Sequence, residues 1–449
     1  MLDILLDILG TPAMIIGLVA MIGLILQGES FGRVLSGFLK TALGMLVLSA
    51  GAGVIVNEIL PFVDLFAKVF HLSGFATSSE AIVGAIQSTI PIIASSSALI
   101  MATGFLVNVI LARFTPLKYI FLTGHMMWIL SVSLAYSLYA AGFTETNIIL
   151  LGTILQGMIL TLLPAICQPM VRKVTGNDNF GIAHLTTLGT TTSAYIGGLF
   201  GDKSKSAEDI TVPESLEFFK DTSVSVSIVM LIFYILVVIV AGPEMVAEYA
   251  GDLNYIVFGL LKALGFASGV LILLQGVRMF LGELVPSFKG IADKLVPGAI
   301  PALDVPVLFA YAPNSLMIGF IMAVAGMLIG MITSSVVFKV TPLVSIIGAF
   351  FTGGVAGIMG NATGGRRGSA IAGFIYGFLL IFLSGLLYTM FDFAAVGAKG
   401  VGHDCIDVMI LTMLLKNPYI GIGVIVVAYI TFSYLEMRHS KNKQNSTQS

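Results

Sequence analysis

Apolar residues occupy long runs along this chain, and short polar segments separate the runs. An α-helix of about 20 apolar residues crosses the hydrocarbon core of a bilayer. Runs of about this length occur near residues 11–27, 41–61, 91–112, 119–141, 147–168, 223–242, 253–277, 315–338, 343–359, 369–391 and 418–435. The pattern predicts an all-α polytopic membrane protein with about eleven transmembrane helices.

Four stretches are neither clean spans nor tight loops: 62–90, 174–222, 281–314 and 392–417. Within them, residues 177–201 and 400–415 are apolar enough to enter a membrane but too interrupted by glycine and polar residues to cross it, so we predict two re-entrant hairpins. The segment from Pro61 to Glu80 has apolar residues at helical spacing with Asp64 and Lys68 on the other side. This spacing predicts an amphipathic helix in the membrane interface.

Two similar segments indicate a duplicated unit. GAIQSTIPIIASSSALIMATGF begins at Gly84, and GAIPALDVPVLFAYAPNSLMIGF begins at Gly298. A second pair follows in the same order, with Thr115-Pro116-Leu117 resembling Thr341-Pro342-Leu343. The second copy starts five predicted spans after the first, and an odd offset inverts it. The sequence therefore predicts an inverted repeat, the usual architecture of membrane transporters with a site near the midplane.

Composition supports this placement in a membrane. Of 449 residues, 57% are hydrophobic and 10% charged, and the mean hydropathy is +1.02. A soluble globular protein does not have this composition. The net charge of -2 and the absence of a large basic patch argue against nucleic-acid binding. Asp3 and Asp7, with no basic residue beside them, do not resemble a cleavable signal peptide.

The distribution of lysine and arginine predicts the orientation, because basic residues collect on cytoplasmic loops. Basic residues lie on alternate loops and in the tail, at Arg33, Lys40, Arg113, Lys118, Arg172, Lys173, Arg278, Lys289, Lys294, Arg366, Arg367, Arg438, Lys441 and Lys443. The intervening loops carry Glu145, Glu244, Glu248 and Asp252, with Lys339 as an exception. We therefore expect the N-terminus outside and the C-terminus in the cytoplasm.

Asp304 is the strongest candidate for ligand binding, because a carboxylate between Pro301 and Pro306 is costly at membrane depth unless it faces a cavity or a partner. It either binds a ligand or pairs with Arg278 or a histidine. Asn314 follows Pro313 and either caps the next helix or hydrogen-bonds a polyol.

Further candidates are His125, His184 and the hydroxyls of Ser95 and Ser96. The histidines either bind a ligand or act as structural hydrogen-bonding partners, and the serines either bind a ligand or bond back to their own helix. Neither histidine has metal-ligand spacing in the sequence, so we expect no metal, and no motif indicates a catalytic residue or a cofactor. Cys167 and Cys405 are expected to be apolar fillers. Carboxylate, imidazole, hydroxyl and amide groups together suit a small polyhydroxylated solute.

Several longer motifs resemble a known family. FLTGHMMW surrounds His125, FGIAH ends at His184, LLQGVRMFLGEL precedes Asp304, and LVPGAIPALD and FAYAPN follow in order. Together these motifs resemble the ascorbate-type membrane component, enzyme IIC, of the bacterial sugar phosphotransferase system, and the resemblance covers nearly the whole chain.

The resemblance implies a homodimeric permease for L-ascorbate or a related sugar or sugar acid. It also implies that a cytoplasmic IIB protein, charged by IIA and ultimately by phosphoenolpyruvate, phosphorylates the substrate, while the permease has no phosphoacceptor of its own. By the same resemblance, residues 1–61 and 223–280 form a scaffold and dimerisation domain, residues 62–222 and 281–435 form the core domain that holds the sugar, and residues 436–449 form a cytoplasmic tail. The family's ligand region falls on Ser95 with its neighbours, His125, His184, Asp304 and Asn314.

This chain departs from the family pattern next to both histidines. Ile129 lies one turn after His125, and Leu185 follows His184, at places where family members often carry amide side chains. The loss of amide donors changes the hydroxyl pattern that the site satisfies, so other pentose-like or hexose-like substrates stay open. The alternative function is an ion-coupled secondary transporter of a small organic anion or sugar, with Asp304 as the coupling carboxylate.

Overall fold

The computed structural model describes residues 12–69, 74–210, 222–398 and 401–448. The acidic residues Asp3 and Asp7 and residues 211–221 of the predicted stretch 174–222, whose part after residue 201 we call the connector, lie outside these ranges. The described helices are α1 Pro12–Gln27, α2 Phe31–Val69, α3 Ser79–Thr89, α4 Pro91–Phe114, α5 Gly124–Ala140, α6 Glu145–Thr175, α7 Thr187–Phe200, α8 Thr222–Ala250, α9 Tyr255–Lys294, α10 Pro313–Phe338, α11 Ile346–Met390, α12 Ile406–Leu415 and α13 Pro418–Gln448.

Eight of the described helices contain a segment long and apolar enough to cross a membrane: α2, α4, α6, α8, α9, α10, α11 and α13. Two of the eleven predicted spans fall on α11, which contains a π-helical turn at Ala349–Gly353 and a break in helical geometry at Gly364 and Gly365. Two more fall on α1 and α5, which have 16 and 17 residues. The all-α membrane architecture is confirmed, and the count of eleven stays a prediction.

The structure corrects the predicted amphipathic helix after Pro61. Residues up to Val69 continue α2 through Pro61 and do not form a separate helix. Phe62 is buried against Phe233 and Tyr234 of α8, while Lys68 on the other side pairs with Glu248. The apolar face that the sequence pattern assigned to the membrane interface therefore packs against another helix.

The long helices α2 and α9 lie against each other, and α1 and α8 pack beside them. Glycines permit this close approach: a Cβ at Gly276 would lie 2.3 Å from the backbone nitrogen of Leu48, and one at Gly51 would lie 2.3 Å from that of Leu273. Small residues at helix contacts are characteristic of membrane proteins, because they let two backbones approach and gain dispersion contacts. Substituting either glycine would force the two helices apart.

A second group of helices packs around the remaining elements. α10 and α7 both pack along α11, and α4 packs along α6. Five short strands lie between these helices: β1 Ala76–Thr77, β2 Tyr119–Phe121, β3 Gly181–Ile182, β4 Ile300–Leu303 and β5 Val401–Gly402. They form one sheet in the order β2-β4-β3 and another in the order β1-β5, and all pairs are parallel.

Candidate functional site

The three-stranded sheet brings together three candidate residues that are far apart in sequence. β4 lies in the middle, with Ile120 opposite Pro301 on one side and Gly181 opposite Ala302 on the other. Parallel strands end at the same edge of a sheet, so the residues that follow β2, β3 and β4 converge. These residues include His125, His184 and Asp304.

The backbone holds this edge in place. The N–H of Leu122 donates to the carbonyl of Ala302 at 3.0 Å, and the N–H of Ala183 donates to that of Leu303 at 2.7 Å. Asn108 of α4 is fully buried, and its side chain donates to the carbonyl of Tyr119 at 3.0 Å and accepts the N–H of Phe121 at 3.0 Å. The amide of Asn108 satisfies the outer edge of β2, where unpaired backbone groups would otherwise be costly inside a membrane.

His125, His184 and Asp304 form a compact group. One ligand atom from each lies within 4.8 Å of the others, and His125 Nε2 is 3.8 Å from Asp304 Oδ2. The other carboxylate oxygen of Asp304 accepts the N–H of Val305 at 2.7 Å and caps the 3-10 turn Val305–Tyr311. The imidazole of His184 is buried, and its Nδ1 has no hydrogen-bonding partner. An unsatisfied nitrogen inside a polar group is an available contact for a ligand.

All three side chains line a cavity of about 340 Å³. The cavity is also lined by polar side chains from other elements, Ser49, Glu80, Thr352 and Asp404, and by Cys405. Apolar residues complete the wall: Met45, Leu48, Met126, Val305, Pro306, Ile347 and Phe351, together with Gly348. A largely apolar enclosure with a few convergent polar groups is the usual character of a small-molecule site.

Glu80, Asp404 and Cys405 of the cavity lining follow the strands of the two-stranded sheet. β1 pairs with β5 on one side, and Phe75 just before it bridges to Pro342 on the other, so β1 is central as β4 is in the first sheet. The Ser79 hydroxyl donates to Asp404 Oδ1 at 2.7 Å and lies 3.2 Å from His403 Nδ1. Residues that follow the strands of both sheets therefore contribute polar side chains to the cavity.

Sequence reasoning missed Glu80 and Asp404 as cavity residues. A signal was present: Gly181-Ile182-Ala183-His184 resembles Gly400-Val401-Gly402-His403, and each segment enters a predicted re-entrant hairpin. β3 and β5 occupy corresponding places, directly before or one residue before the two histidines. His403 is buried and contacts Ser79, and the acid after it, Asp404, lines the cavity.

Asp407 connects the two hairpin segments. Its carboxylate is fully buried and accepts the N–H of Leu188 at 3.1 Å, the N–H of Gly189 at 3.4 Å and the hydroxyl of Thr187 at 3.0 Å. Its own N–H donates to the carbonyl of Leu185 at 3.1 Å. Asp407 thus satisfies the free amides at the start of α7 and holds the residues directly after His184.

The structure places the other predicted residues elsewhere. Ser95 is exposed and its hydroxyl lies 3.0 Å from Glu145 Oε1, and Ser96 is buried within α4; neither lines the cavity. Asn314 also lies outside the lining, and it is the second residue of α10 and not its cap. Its side chain donates to the carbonyl of Ala207 at 3.2 Å. Of the six predicted ligand residues, the structure therefore brings together His125, His184 and Asp304.

Two imidazoles and a carboxylate could also hold a divalent cation, which the sequence spacing did not suggest. Three ligands on one zinc ion, with bonds of about 2.0–2.2 Å, lie roughly 3.3 Å apart. Separations of up to 4.8 Å exceed this, so the three side chains would have to close around an ion. Contacts with the hydroxyls of an organic ligand need no such closure.

The fold and this cavity are those of a helical membrane protein with a small-molecule site, in which a few polar groups converge within a largely apolar wall. Residues 7–404 match the family described as PTS system sugar-specific permease component. The chain therefore belongs to the sugar-specific permease components of the phosphotransferase system, and it is a multi-pass membrane protein. This confirms the family expected from the motifs around His125, His184 and Asp304.

The chain is also similar to a curated protein described as the ascorbate-specific PTS system EIIC component of Mycoplasma pneumoniae. The two are 28% identical over 438 residues, which cover 84% of this chain and 64% of that relative. The chain thus spans about 64% of the length of the curated relative.

Proposed function

We propose that this permease binds a small polyhydroxylated substrate in the cavity, moves it across the membrane and releases it for phosphorylation by a separate cytoplasmic IIB protein. The observation that carries the proposal is the convergence of His125, His184 and Asp304 at one sheet edge on the cavity wall. A carboxylate accepts hydrogen bonds from two hydroxyl groups, and each neutral imidazole donates one hydrogen bond and accepts another. This set matches a ring or chain of adjacent hydroxyls.

L-ascorbate is the leading substrate, supported by the ascorbate-specific relative. The acidic residues that line the cavity bear on the choice between the ascorbate anion and an uncharged sugar. Glu80, Asp304 and Asp404 line it, and among the described lining residues there is no lysine or arginine. A substrate anion next to three carboxylates is repelled unless one carboxylate holds a proton. An uncharged pentose, hexose or polyol is the alternative within this family.

The proposed transport movement uses two domains. The scaffold comprises residues 1–61 and 223–280, and the core comprises residues 62–222 and 281–435. The packing of α2 against α9 supports a rigid scaffold, and the cavity is lined by scaffold residues such as Ser49 and core residues such as His125. We propose that the core moves against a scaffold fixed in a homodimer and exposes the site to each side in turn.

The same proposal includes an inverted repeat and an orientation. The matching central positions of β1 and β4 in their sheets support a duplicated unit. The basic loops support a C-terminus in the cytoplasm, and membership of this permease family supports the inner membrane of a bacterial cell. In the group transfer, the S–P bond of the IIB phosphocysteine breaks, a substrate hydroxyl oxygen forms the new O–P bond, and the hydroxyl proton passes to the released thiolate.

The test is uptake of labelled ascorbate into membrane vesicles, with a panel of pentoses, hexoses and hexitols as competitors. We expect uptake only when phosphoenolpyruvate and the IIA and IIB proteins are supplied, with the substrate recovered as its phosphate. Asp304→Ala should abolish uptake while the purified protein keeps its oligomeric state. Normal uptake by Asp304→Ala would refute the site.

The alternative is an ion-coupled secondary transporter with Asp304 as the coupling carboxylate. The position of Asp304 beside His125 and His184 favours this function, because a partly exposed carboxylate next to two imidazoles is a suitable group for ion coupling. It predicts uptake driven by a proton or sodium gradient in vesicles that lack IIB and phosphoenolpyruvate. The same vesicles therefore separate the two functions.

A further inference from the structure

Exposed basic side chains from three separate segments meet where α7 ends and where α11 is interrupted. They are Lys173 in the last turn of α6, Lys203 and Lys205 just after α7, and Arg366 and Arg367 just after the break in α11. We call these five residues the basic face. Lys173, Arg366 and Arg367 are among the basic residues whose positions predict the cytoplasmic side of the protein.

Backbone contacts, and not side-chain flexibility, bring the segments together. The N–H of Asp202 donates to the carbonyl of Gly364 at 2.8 Å, and the N–H of Arg366 donates to that of Lys205 at 2.8 Å. Gly365 has φ +61, and a Cβ there would lie 2.1 Å from the carbonyl oxygen of Asp202. The segment after α7 therefore packs directly against the break in α11. The positive φ and the close backbone contact at Gly365 allow only glycine at this position.

Lys173 is attached to the same face through α7. Its ammonium lies 5.3 Å from the ring centroid of Tyr195, and it is close enough to Lys203 for mutual electrostatic repulsion. Like charges held side by side are unfavourable in the isolated protein, and an anionic partner would relieve the repulsion.

Most of this charge is not neutralised within the described part of the chain. Hydrogen bonds from Ser204 and the ammonium of Lys205 lower the pKa of Asp202 to about 2, so Asp202 stays ionised and pairs with Lys205 at 3.1 Å. Lys173, Lys203, Arg366 and Arg367 have no ion pair with any described residue. By contrast, Arg33 and Lys40 share Glu283, and Arg172 pairs with Asp178.

Two helices, α7 and α11, connect the basic face to the cavity. α7 begins at Thr187, three residues after His184, and ends at Phe200 beside the face. At about 1.5 Å per residue, its 14 residues span roughly 21 Å. α11 begins next to the cavity residues Ile347 and Thr352 and reaches the face at Gly364. α7 and the part of α11 before its break therefore both run from the cavity to the basic face.

We propose that the basic face is the docking surface for the phosphorylated IIB carrier, which this inference takes from the proposed function. The partner that the charge fits is a soluble protein surface bearing a phosphoryl group and acidic side chains. Arg366 and Arg367 suit this partner because a planar guanidinium binds phosphate or carboxylate oxygens in pairs. Docking at this face places the carrier over the end of α7 and the break in α11, and both of these helices also reach the cavity.

The experiment measures binding of purified IIB, phosphorylated and unphosphorylated, to the full chain in phosphatidylcholine nanodiscs. We compare the wild type with Arg366→Gln/Arg367→Gln and with Lys203→Gln/Arg367→Gln. A control of equal charge change, Lys40→Gln/Arg113→Gln, removes two basic residues from other predicted cytoplasmic loops. Substrate affinity of each variant, measured without IIB, reports whether its cavity is intact.

We expect each basic-face variant to bind phosphorylated IIB at least about fivefold more weakly at low salt, with the difference shrinking as salt rises, while the control and the substrate affinities stay unchanged. Equal IIB affinity in the wild type and in a basic-face variant with intact substrate binding overturns the proposal. So does a wild type that does not bind IIB.

Anionic lipid headgroups carry the same chemistry as the phosphorylated partner. Nanodiscs with phosphatidylglycerol distinguish them: if the variants lose only a stabilising effect of anionic lipid and still bind IIB normally, the face is a lipid anchor and the proposal fails. Failure of the proposed function has a different signature, because a wild type that does not bind any sugar or take it up with phosphoenolpyruvate fails before any variant is compared.

Discussion

The carboxylate of Asp407 accepts the backbone N–H of Leu188 with both oxygens, at 3.1 and 3.2 Å, although the two residues are 219 positions apart. Leu188 lies four residues after His184, and Asp407 lies three residues after Asp404. The contact therefore connects the backbone segment that follows His184 to the backbone segment that follows Asp404. Asp407 is a positioning residue, since it does not itself line the cavity.

Asp407→Asn should weaken both the fold and the site. The asparagine keeps only one acceptor oxygen, so its NH2 group replaces the second carboxylate oxygen that accepts from Thr187 and Leu188, and the hydrogen bonds to a charged acceptor are lost at a cost of about 1–3 kcal/mol. We expect a lower midpoint of thermal unfolding and a weaker substrate affinity. The matched control is Asp209→Asn on the exposed connector, which should change neither. Rescue of affinity by Asp407→Glu would show that the carboxylate acts by position, and unchanged affinity in Asp407→Asn would contradict the role.

Asp304→Asn should lower substrate affinity by at least about tenfold, because a hydrogen bond to a charged acceptor is worth about 1.5–3 kcal/mol. The amide oxygen can still accept the N–H of Val305, so the 3-10 turn should remain capped and the fold intact. Isothermal titration with substrate, together with a thermal unfolding curve, separates the two effects. Loss of affinity together with a collapsed fold would indicate a structural role for Asp304.

Glu208→Gln should affect stability and leave substrate affinity unchanged. The carboxylate of Glu208 accepts the N–H groups of Asn314 and Ser315 at 3.2 and 2.9 Å and the Ser315 hydroxyl at 2.7 Å, so it caps α10 from the connector. Loss of a cap costs about 1 kcal/mol. Asn314→Ala should likewise bind substrate normally. A large loss of affinity in Asn314→Ala would return Asn314 to the ligand set.

If the substrate is the ascorbate anion, its affinity should fall as the pH rises. Glu80, Asp304 and Asp404 line one cavity with His125 and His184, and an added anion is tolerated best while one carboxylate is protonated. Burial and the neighbouring Glu80 carboxylate raise the pKa of Asp404 to about 6, so raising the pH removes the proton of Asp404 and increases the repulsion. Binding titrations across about pH 5–8 should show this trend for ascorbate and not for an uncharged hexitol, and Asp404→Asn should flatten it.

Chelators provide the last test. Because the ligand atoms of His125, His184 and Asp304 lie up to 4.8 Å apart, we expect substrate affinity to be the same with and without EDTA. Zinc titration followed by calorimetry is the complementary measurement. Loss of substrate binding in EDTA, restored by one equivalent of zinc, would make the three residues a metal site.

Much of this protein followed from local properties of the sequence. The long apolar runs predicted the helices because the burial of apolar residues in lipid depends on composition over about 20 residues, whatever their partners. Asp304 and the two histidines stood out for the same reason, since polar groups are costly in such runs. The separation between the predicted spans 343–359 and 369–391 coincides with the kink at Gly364 and Gly365, whereas the π-helical turn at Ala349–Gly353 did not follow from the local pattern.

Tertiary structure alone decided which polar residues share the cavity. Parallel pairing of β2, β4 and β3 brings residues 125, 184 and 304 together, and no local pattern specifies partners so far apart. The same pairing on the other side brings Asp404 next to Ser79 at the cavity, while Ser95 and Asn314 bond to Glu145 and Ala207 elsewhere. A sequence fixes the cost of a buried polar group locally, but its partner is set by how distant backbone segments pair.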